Sequence, residues 1–360
     1  IGKGVATLHK APAMPSFTAT ACVVKMNSDG TVVVNLALME IGQGCDTAIA
    51  QLAAERLRFP VERVKVAVER DTDKDPYDWQ TVASKGLILS GNATLLACDD
   101  LLRQAYEVAG QVLRASVHDL DHDAERVFVR HRPDQSVSFA AMAIGYAFPD
   151  GNGIGGPLVG VGRYIAQGLT NLDKETGQGL PALDWTYGAH GVVVDVDPDT
   201  GEFDVLAISS AYDVGRVVNP GLVRGQAIGG MVQGLGTALC EGYIYDQQGR
   251  LLNPSFTDNK IPTARDLPGR IDCAVVETAQ LDGPYGARGV GEHPMISVAP
   301  AIGNAIQQAT GAELLHMPMR HEDVWRALRA HDPIDNWITE TPVGSCRSDL
   351  PGGVAARPAP

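Results

Sequence analysis

The nonapeptide GARGVGEHP, residues 286–294, sets one carboxylate, Glu292, in a run of glycines that stops at His293 and Pro294. Glycine-rich backbone is costly to order and gives a side chain little to pack against. Such a loop suits an acid whose position matters. Pro294 fits the first turn of a helix, which would place the carboxylate near a positive helix end and keep it ionised, as a general base requires. A plain helix-dipole partner without chemistry fits the same residues. Pro300 requires the helix that follows to bend or to start late.

A second candidate is EIGQGCDT, residues 40–47. A glycine-rich loop that leaves a strand and opens a helix points unpaired N–H groups at whatever lies before the helix, which makes an anion site. A tight turn capped by Asp46 is the competing reading. The glycine spacing matches neither a dinucleotide fingerprint nor a Walker loop. GNGIGGP, at 151–157, satisfies G-x-G-x-x-G, but Pro157 and the strand-like LVGVG follow it where a helix should. A nucleotide site there is rejected. His118 and His122 stand four apart among Asp119, Asp121 and Asp123, a spacing that could ligate a metal on a helix face. With no cysteine or third histidine near, a solvated acidic surface is expected instead. No G-x-S-x-G elbow occurs, so hydrolase chemistry is disfavoured.

The elements that must position these residues can be read from periodicity. Two β-rich runs flank Ser28-Asp29-Gly30 as a hairpin. Ala48, Ile49, Leu52, Ala53 and Leu57 have helical spacing ended by Pro60, and a long amphipathic helix carries Leu95, Leu101, Ala105, Val108 and Val112 inward. Residues 117–160 read as a boundary. A second hairpin turns at 198–201, a glycine-studded helix follows at 221–242, and an Ala/Ile-rich helix occupies about 295–309. The expectation is an α+β chain with sub-domains at 1–150 and 151–335 and a low-complexity tail at 336–360. The halves echo each other loosely, each with a strand pair, a glycine-rich loop and a helix.

Composition bounds the function. The chain has 360 residues, 44% hydrophobic, and a net charge of −14. That charge argues against a nucleic-acid or anionic-lipid surface, and no apolar run approaches the ~18 residues of a membrane span. Six dispersed cysteines (Cys22, Cys45, Cys98, Cys240, Cys273, Cys346) suggest a reduced, cytoplasmic setting and could not hold an iron–sulfur cluster locally. Ile1 suggests a trimmed chain or the C-terminal piece of a longer one.

Five segments then occur in one order: EIGQG (40–44), LDKETGQG (172–179), DVGRVVNPGLVRGQAIGGMVQGLG (213–236), NPSFTDNKIPTARDLP (253–268) and GARGVGEHP (286–294). Together they resemble the second molybdenum-binding region of the xanthine dehydrogenase/aldehyde oxidoreductase family of molybdenum hydroxylases, over residues 2–328. The resemblance implies that family's C-terminal molybdopterin-binding fold, with two α+β sub-domains. It also implies a single molybdopterin, of the cytosine dinucleotide form, carrying molybdenum through its dithiolene with no protein ligand to the metal. Glu292 would be the general base, a buried acid that takes a proton as water-derived oxygen is added to an electron-poor carbon. Gly42, Gln43, Gly44, Ala83, Ser84, Gln226 and Gly291 would contact the cofactor, and Phe17 and Thr18 the substrate.

The arrangement is similar to nicotinate dehydrogenase, in which the two molybdenum-binding halves are separate polypeptides. Implied partners are the subunit with the first half, a 2Fe-2S subunit and an FAD subunit that take the electrons, so the chain alone should be inactive. The expected substrate is a nicotinate-like or purine-like heteroaromatic; an aldehyde is the alternative. A non-catalytic cofactor-holding or assembly chain is a third reading. His293 departs from the family, many of whose members have proline there. Its effect on the pocket or on Glu292 is left open.

Overall fold

The computed structural model describes residues 1–12 and 16–329, so the tail expected from 336 lies outside the described residues. The elements are β1 (Gly2–Lys10), β2 (Ala19–Met26), β3 (Val32–Leu36), α1 (Cys45–Leu57), β4 (Val64–Val66), α2 (Gly86–Leu113), β5 (Leu120–His122), β6 (Arg126–Val129), β7 (Arg132–Ser138), α3 (Phe139–Met142), β8 (Tyr146–Ala147), β9 (Gly153–Ile154), β10 (Val159–Ile165), β11 (Thr186–Val196), β12 (Phe203–Asp213), α4 (Pro220–Leu239), β13 (Arg270–Val276), α5 (Val298–Thr310) and α6 (His321–Arg329).

Two four-stranded sheets dominate, ordered β10-β2-β3-β4 and β1-β11-β12-β13. Each has two antiparallel pairs followed by one parallel pair. In each, a helix crosses over between the parallel strands (α1 or α4) and a second helix follows (α2 or α5). The echo in the sequence is thus a repeated unit. The hydrophobic core of one centres on Val24, Val34, Ile49, Leu52 and Leu101, that of the other on Val192, Val194, Met231, Leu235 and Ile302.

The units are not consecutive across 150/151. β1 leads into the first unit but pairs with β11 of the second, Gly2 opposite Val194 and Lys10 opposite Thr186. β10 leads into the second unit but pairs with β2 of the first. Both exchanged strands carry glycines where a helix crosses them. A Cβ at Gly162 would lie 1.9 Å from the Ala93 carbonyl oxygen of α2, and one at Gly4 would lie 2.1 Å from that of Ala301 in α5. In both places the obstructing atom belongs to the backbone, so no rotamer change can relieve the clash. Gly162→Ala should therefore cost about 3 kcal/mol, at the upper end of overpacking; a urea midpoint unchanged from the parent would contradict this close approach.

The stretch 117–160, expected as a boundary, is folded. β5, β6 and β7 form a small sheet whose Leu120, Val127 and Val137 join the first core. His122 is buried, with Nδ1 2.7 Å from the Tyr106 hydroxyl and Nε2 3.2 Å from the Leu57 carbonyl. The expectation of a solvated His118/His122 surface is corrected for His122, which is a core residue on a short strand and shares no helix face with His118. Residues 151–156 cover the end of the β8–β9 turn and β9 itself, and the next regular element is a strand.

Candidate active site

Four segments converge on one cavity of about 330 Å³: residues 38–48, 81–87, 214–226 and 288–292. They are equivalent in pairs. The first and third lead from β3 or β12 into the crossover helices, and the second and fourth lead toward α2 and α5. The cavity therefore lies where the repeated units present matching loops to each other.

In the first segment the anion reading changes. The Glu40 carboxylate accepts from the N–H groups of Gly42 (2.8 Å), Gly44 (2.9 Å) and Asp46 (3.2 Å), filling the nest from within the chain. Burial alone would raise the Glu40 carboxyl, but these donors outweigh it and hold it below the usual carboxylate range. Gly44 caps α1 with φ 82, a left-handed conformation open to glycine. Asp46 does not cap the helix; it pairs with Arg70 at 2.5 Å. Gln43 braces the loop, its Nε2 donating to the Met39 carbonyl (2.9 Å) and its Oε1 accepting from Ile41 N–H (2.7 Å), while it also lines the cavity. Gly42 does not line the cavity.

In the second segment Ala83 and Ser84 both have positive φ, 57 and 58. Two successive non-glycine residues in that region are strained, and such strain concentrates at functional sites. The turn is braced by neighbours. The buried Lys85 ammonium donates to the Gln80 carbonyl. Gly289 fits because a Cβ there would meet the Ser84 carbonyl oxygen at 1.7 Å.

Glu292 is tied to this turn. Its N–H donates to Ser84 Oγ (3.0 Å), and Ser84 Oγ donates to its Oε2 (3.1 Å). Lys10 Nζ forms an ion pair with the same oxygen. Among the described residues no hydrogen bond engages Oε1. The side chain is 53% exposed, so the expected buried acid is only half covered by this chain. No long helix begins at Glu292. A single 3₁₀ turn, His293–Met295, follows it, and α5 starts at Val298 with Pro300 in its first turn.

His293 turns away from the cavity and is fully buried against Tyr212, ring centroids 5.9 Å apart. Neither ring nitrogen has a partner among the described residues. Burial, and then the charge of Lys10, push its imidazole down to about 3. Behind it, His190 links the Tyr212 hydroxyl (2.6 Å) to Ser297 Oγ (2.7 Å), and burial pushes His190 down to about 4. A neutral, buried wedge supports the loop. Arg288 reaches the cavity, anchored on the Trp185 carbonyl (2.9 Å) and Asp213 (3.3 Å). Nearby Asp184 is buried with both carboxylate oxygens unpartnered among the described residues, and burial, opposed by Arg288 and Lys10, raises its carboxyl.

Of the residues singled out in the sequence, Gln43, Gly44, Ala83, Ser84, Gln226, Gly291 and Glu292 line one cavity. Phe17 and Thr18 do not: Phe17 is 63% exposed, and Thr18 is buried just beyond the end of the β10–β2 pairing, its carbonyl accepting from Ala166 N–H (3.1 Å). Lys10, Glu40, Arg216 and Arg288 were missed. Lys10 did leave a signal, as the single charge in the inward series Gly2, Gly4, Ala6, Leu8, Lys10.

The arrangement suits a polar, anionic organic ligand with a reacting centre beside Glu292. Bare glycine backbone gives close approach, the Gln43 and Gln226 amides offer donors and acceptors, and the Arg216 and Arg288 guanidinium groups supply charge.

Residues 1–268 match the molybdopterin cofactor-binding domain family. The chain is 32% identical over 305 residues to the 6-hydroxypseudooxynicotine dehydrogenase complex subunit gamma of Paenarthrobacter nicotinovorans, covering 84% of this chain and 36% of that one. It is 30% identical over 329 residues to the nicotine 6-hydroxylase large subunit of the same organism, covering 91% and 38%. The Cu,Mo-CO dehydrogenase crystal structure superposes with a TM-score of 0.78 at 26% identity, covering 92% of this chain and 42% of that one. The chain thus spans a little over a third of the length of these two curated relatives.

Proposed function

The chain belongs to the molybdopterin cofactor-binding family as the C-terminal molybdenum-binding region of a molybdenum hydroxylase, and from that premise we propose that it supplies the proton acceptor and half of the cofactor cradle to a heteromeric hydroxylase of nitrogen heteroaromatics. When bound, the molybdenum–pterin group supplies the two-electron redox chemistry. Gln43, Gly44, Ala83, Ser84, Gln226 and Gly291 would hold it, and the cavity-lining Arg216 and Arg288 would supply the positive charge its phosphates need, because the N–H groups of Gly42 and Gly44 are already taken by Glu40.

The observation that carries this reading is the asymmetry of the Glu292 carboxylate. Oε2 is tethered to Lys10 and Ser84, whereas Oε1 is left to accept a proton at the cavity wall. A tethered carboxylate with one open oxygen is in the form a general base needs. Its half-exposure and the 72% exposed Ile41 of a cavity-lining segment leave a side for another polypeptide to cover. That polypeptide is the subunit with the first molybdenum-binding half; 2Fe-2S and FAD subunits would take the electrons. The pterin is proposed as the cytosine dinucleotide. Relatives whose names refer to nicotine and its derivatives favour a nitrogen heteroaromatic over an aldehyde.

The test is anaerobic addition of nicotinate-like and purine-like compounds to the molybdenum-replete assembly, followed through iron–sulfur absorbance. Heteroaromatics should bleach it. Bleaching by aldehydes alone would overturn the substrate class, and no bleaching by either would overturn the catalytic reading.

A further inference from the structure

Lys10 occupies an unusual place for a lysine. It ends β1 on the inward-facing phase of the strand, and its side chain is only 16% exposed. A desolvated ammonium is tolerated only where its charge and all three N–H groups find partners. Here it finds three: the Ala83 carbonyl (2.7 Å), Ser84 Oγ (3.3 Å) and Glu292 Oε2. These acceptors come from two chain segments, and Lys10 comes from a third. The ammonium is the point at which the exchanged strand, the strained 83–84 turn and the acid loop are joined.

We propose that Lys10 is a positioning residue for the reaction, acting through Glu292. It pins Oε2 and the Ala83 carbonyl together, so that Oε1 alone turns toward the reacting centre. The proposal rests on Glu292 being the proton acceptor. Salt-bridge energy is not the main point, since half of the Glu292 side chain is open to solvent. The direction of the free oxygen is. An acceptor that swings by about 1 Å can lose about 10² in rate while binding is little changed.

The test uses the complete assembly with Lys10→Met, Lys10→Arg, Glu292→Gln and the Lys10→Met/Glu292→Gln double variant. Lys10→Met should keep its molybdenum and pterin and hold KM within about threefold, while kcat falls by about 10². Lys10→Arg, which keeps the charge and several donors, should recover most of that loss. In the Glu292→Gln background Lys10→Met should cost nothing more, because a residue acting through another has no effect once that other is gone. A structural role would lower both backgrounds alike.

Amide exchange of the metal-free assembly gives a readout apart from turnover. Peptides spanning 82–86 and 289–294 should exchange faster in Lys10→Met than in the parent. If Lys10→Met does not assemble, Lys10→Gln takes its place, with kcat expected to fall in the order Lys, Arg, Gln. Parental kcat in Lys10→Met beside an inactive Glu292→Gln would overturn the role of Lys10 alone. A near-normal Glu292→Gln would overturn the base reading itself.

Discussion

Glu292→Gln in the molybdenum-replete assembly should lose about 10² to 10⁴ in kcat, the range over which a positioned general base contributes, or about 3–5 kcal/mol of barrier. The substitution is nearly isosteric. The glutamine carbonyl can accept from Lys10 and Ser84 as Oε2 does, so the 83–84 turn keeps its bracing and the glycine cradle its shape. What is lost is the capacity to take up a proton. Cofactor content should therefore match the parent, and the decline should appear in kcat with KM little altered. Turnover within about threefold of the parent, at full metal occupancy, would remove Glu292 from the chemistry, because no base worth 10² leaves so small a trace.

A second large effect is expected in acid. His293 and His190 are neutral in the folded chain, held down to about 3 and about 4 by burial, whereas an unfolded histidine titrates near 6.5. Below about 6.5 the unfolded chain takes up protons that the folded chain refuses. Stability is thus complete above that pH and falls as the pH drops toward the folded values. Each histidine can contribute up to about 1.4 kcal/mol per pH unit, so the pair sets a ceiling of about 5 kcal/mol between pH 6.5 and 4.5. His122, lowered first by burial and then by Arg58, adds to the trend. Asp184 and Asp46 work in the opposite sense, since burial raises them and the folded state gains their protons first. Carboxylates lowered by hydrogen bonds, Glu40 among them, matter only below their ordinary range near 4.

The urea midpoint should therefore fall steeply from pH 6.5 to 4.5. His293→Leu, which fills the same dry site without a proton to gain, should flatten the slope by about 1 kcal/mol per pH unit. An identical slope in that variant would show that the ring at 293 plays no part. The loss should begin at the Glu292 loop, because both rings lie beneath residues 292–297.

How far the site could be read from the sequence follows from what periodicity records. Alternation and helical spacing report which side of an element is buried, so α1, α2, α4, α5 and both hairpins were legible. They do not report which sheet a strand joins. β1 and β10 look the same in either unit, and their exchange was invisible. The loops were found because glycine clusters mark close approach, yet their wiring was not. Glu40 lies next to its own nest, but nothing in EIGQG says whether the carboxylate or an outside anion fills it. His293, next to Glu292, reads as a residue of the pocket, and only the fold of the 3₁₀ turn sends it inward and away from the cavity. Lys10 was readable in principle, as a charge on the buried phase of a strand.

The exchange of leading strands bears on how the protein must be made. β1 is synthesised well before its partner, β11, which follows almost two hundred positions later. During that interval the glycine-lined strand has no helix to lie on, and such distant pairing slows folding. A gene divided at 150 would give two fragments, each lacking its own edge strand and carrying the other's, so neither should mature unless both are produced in the same cell.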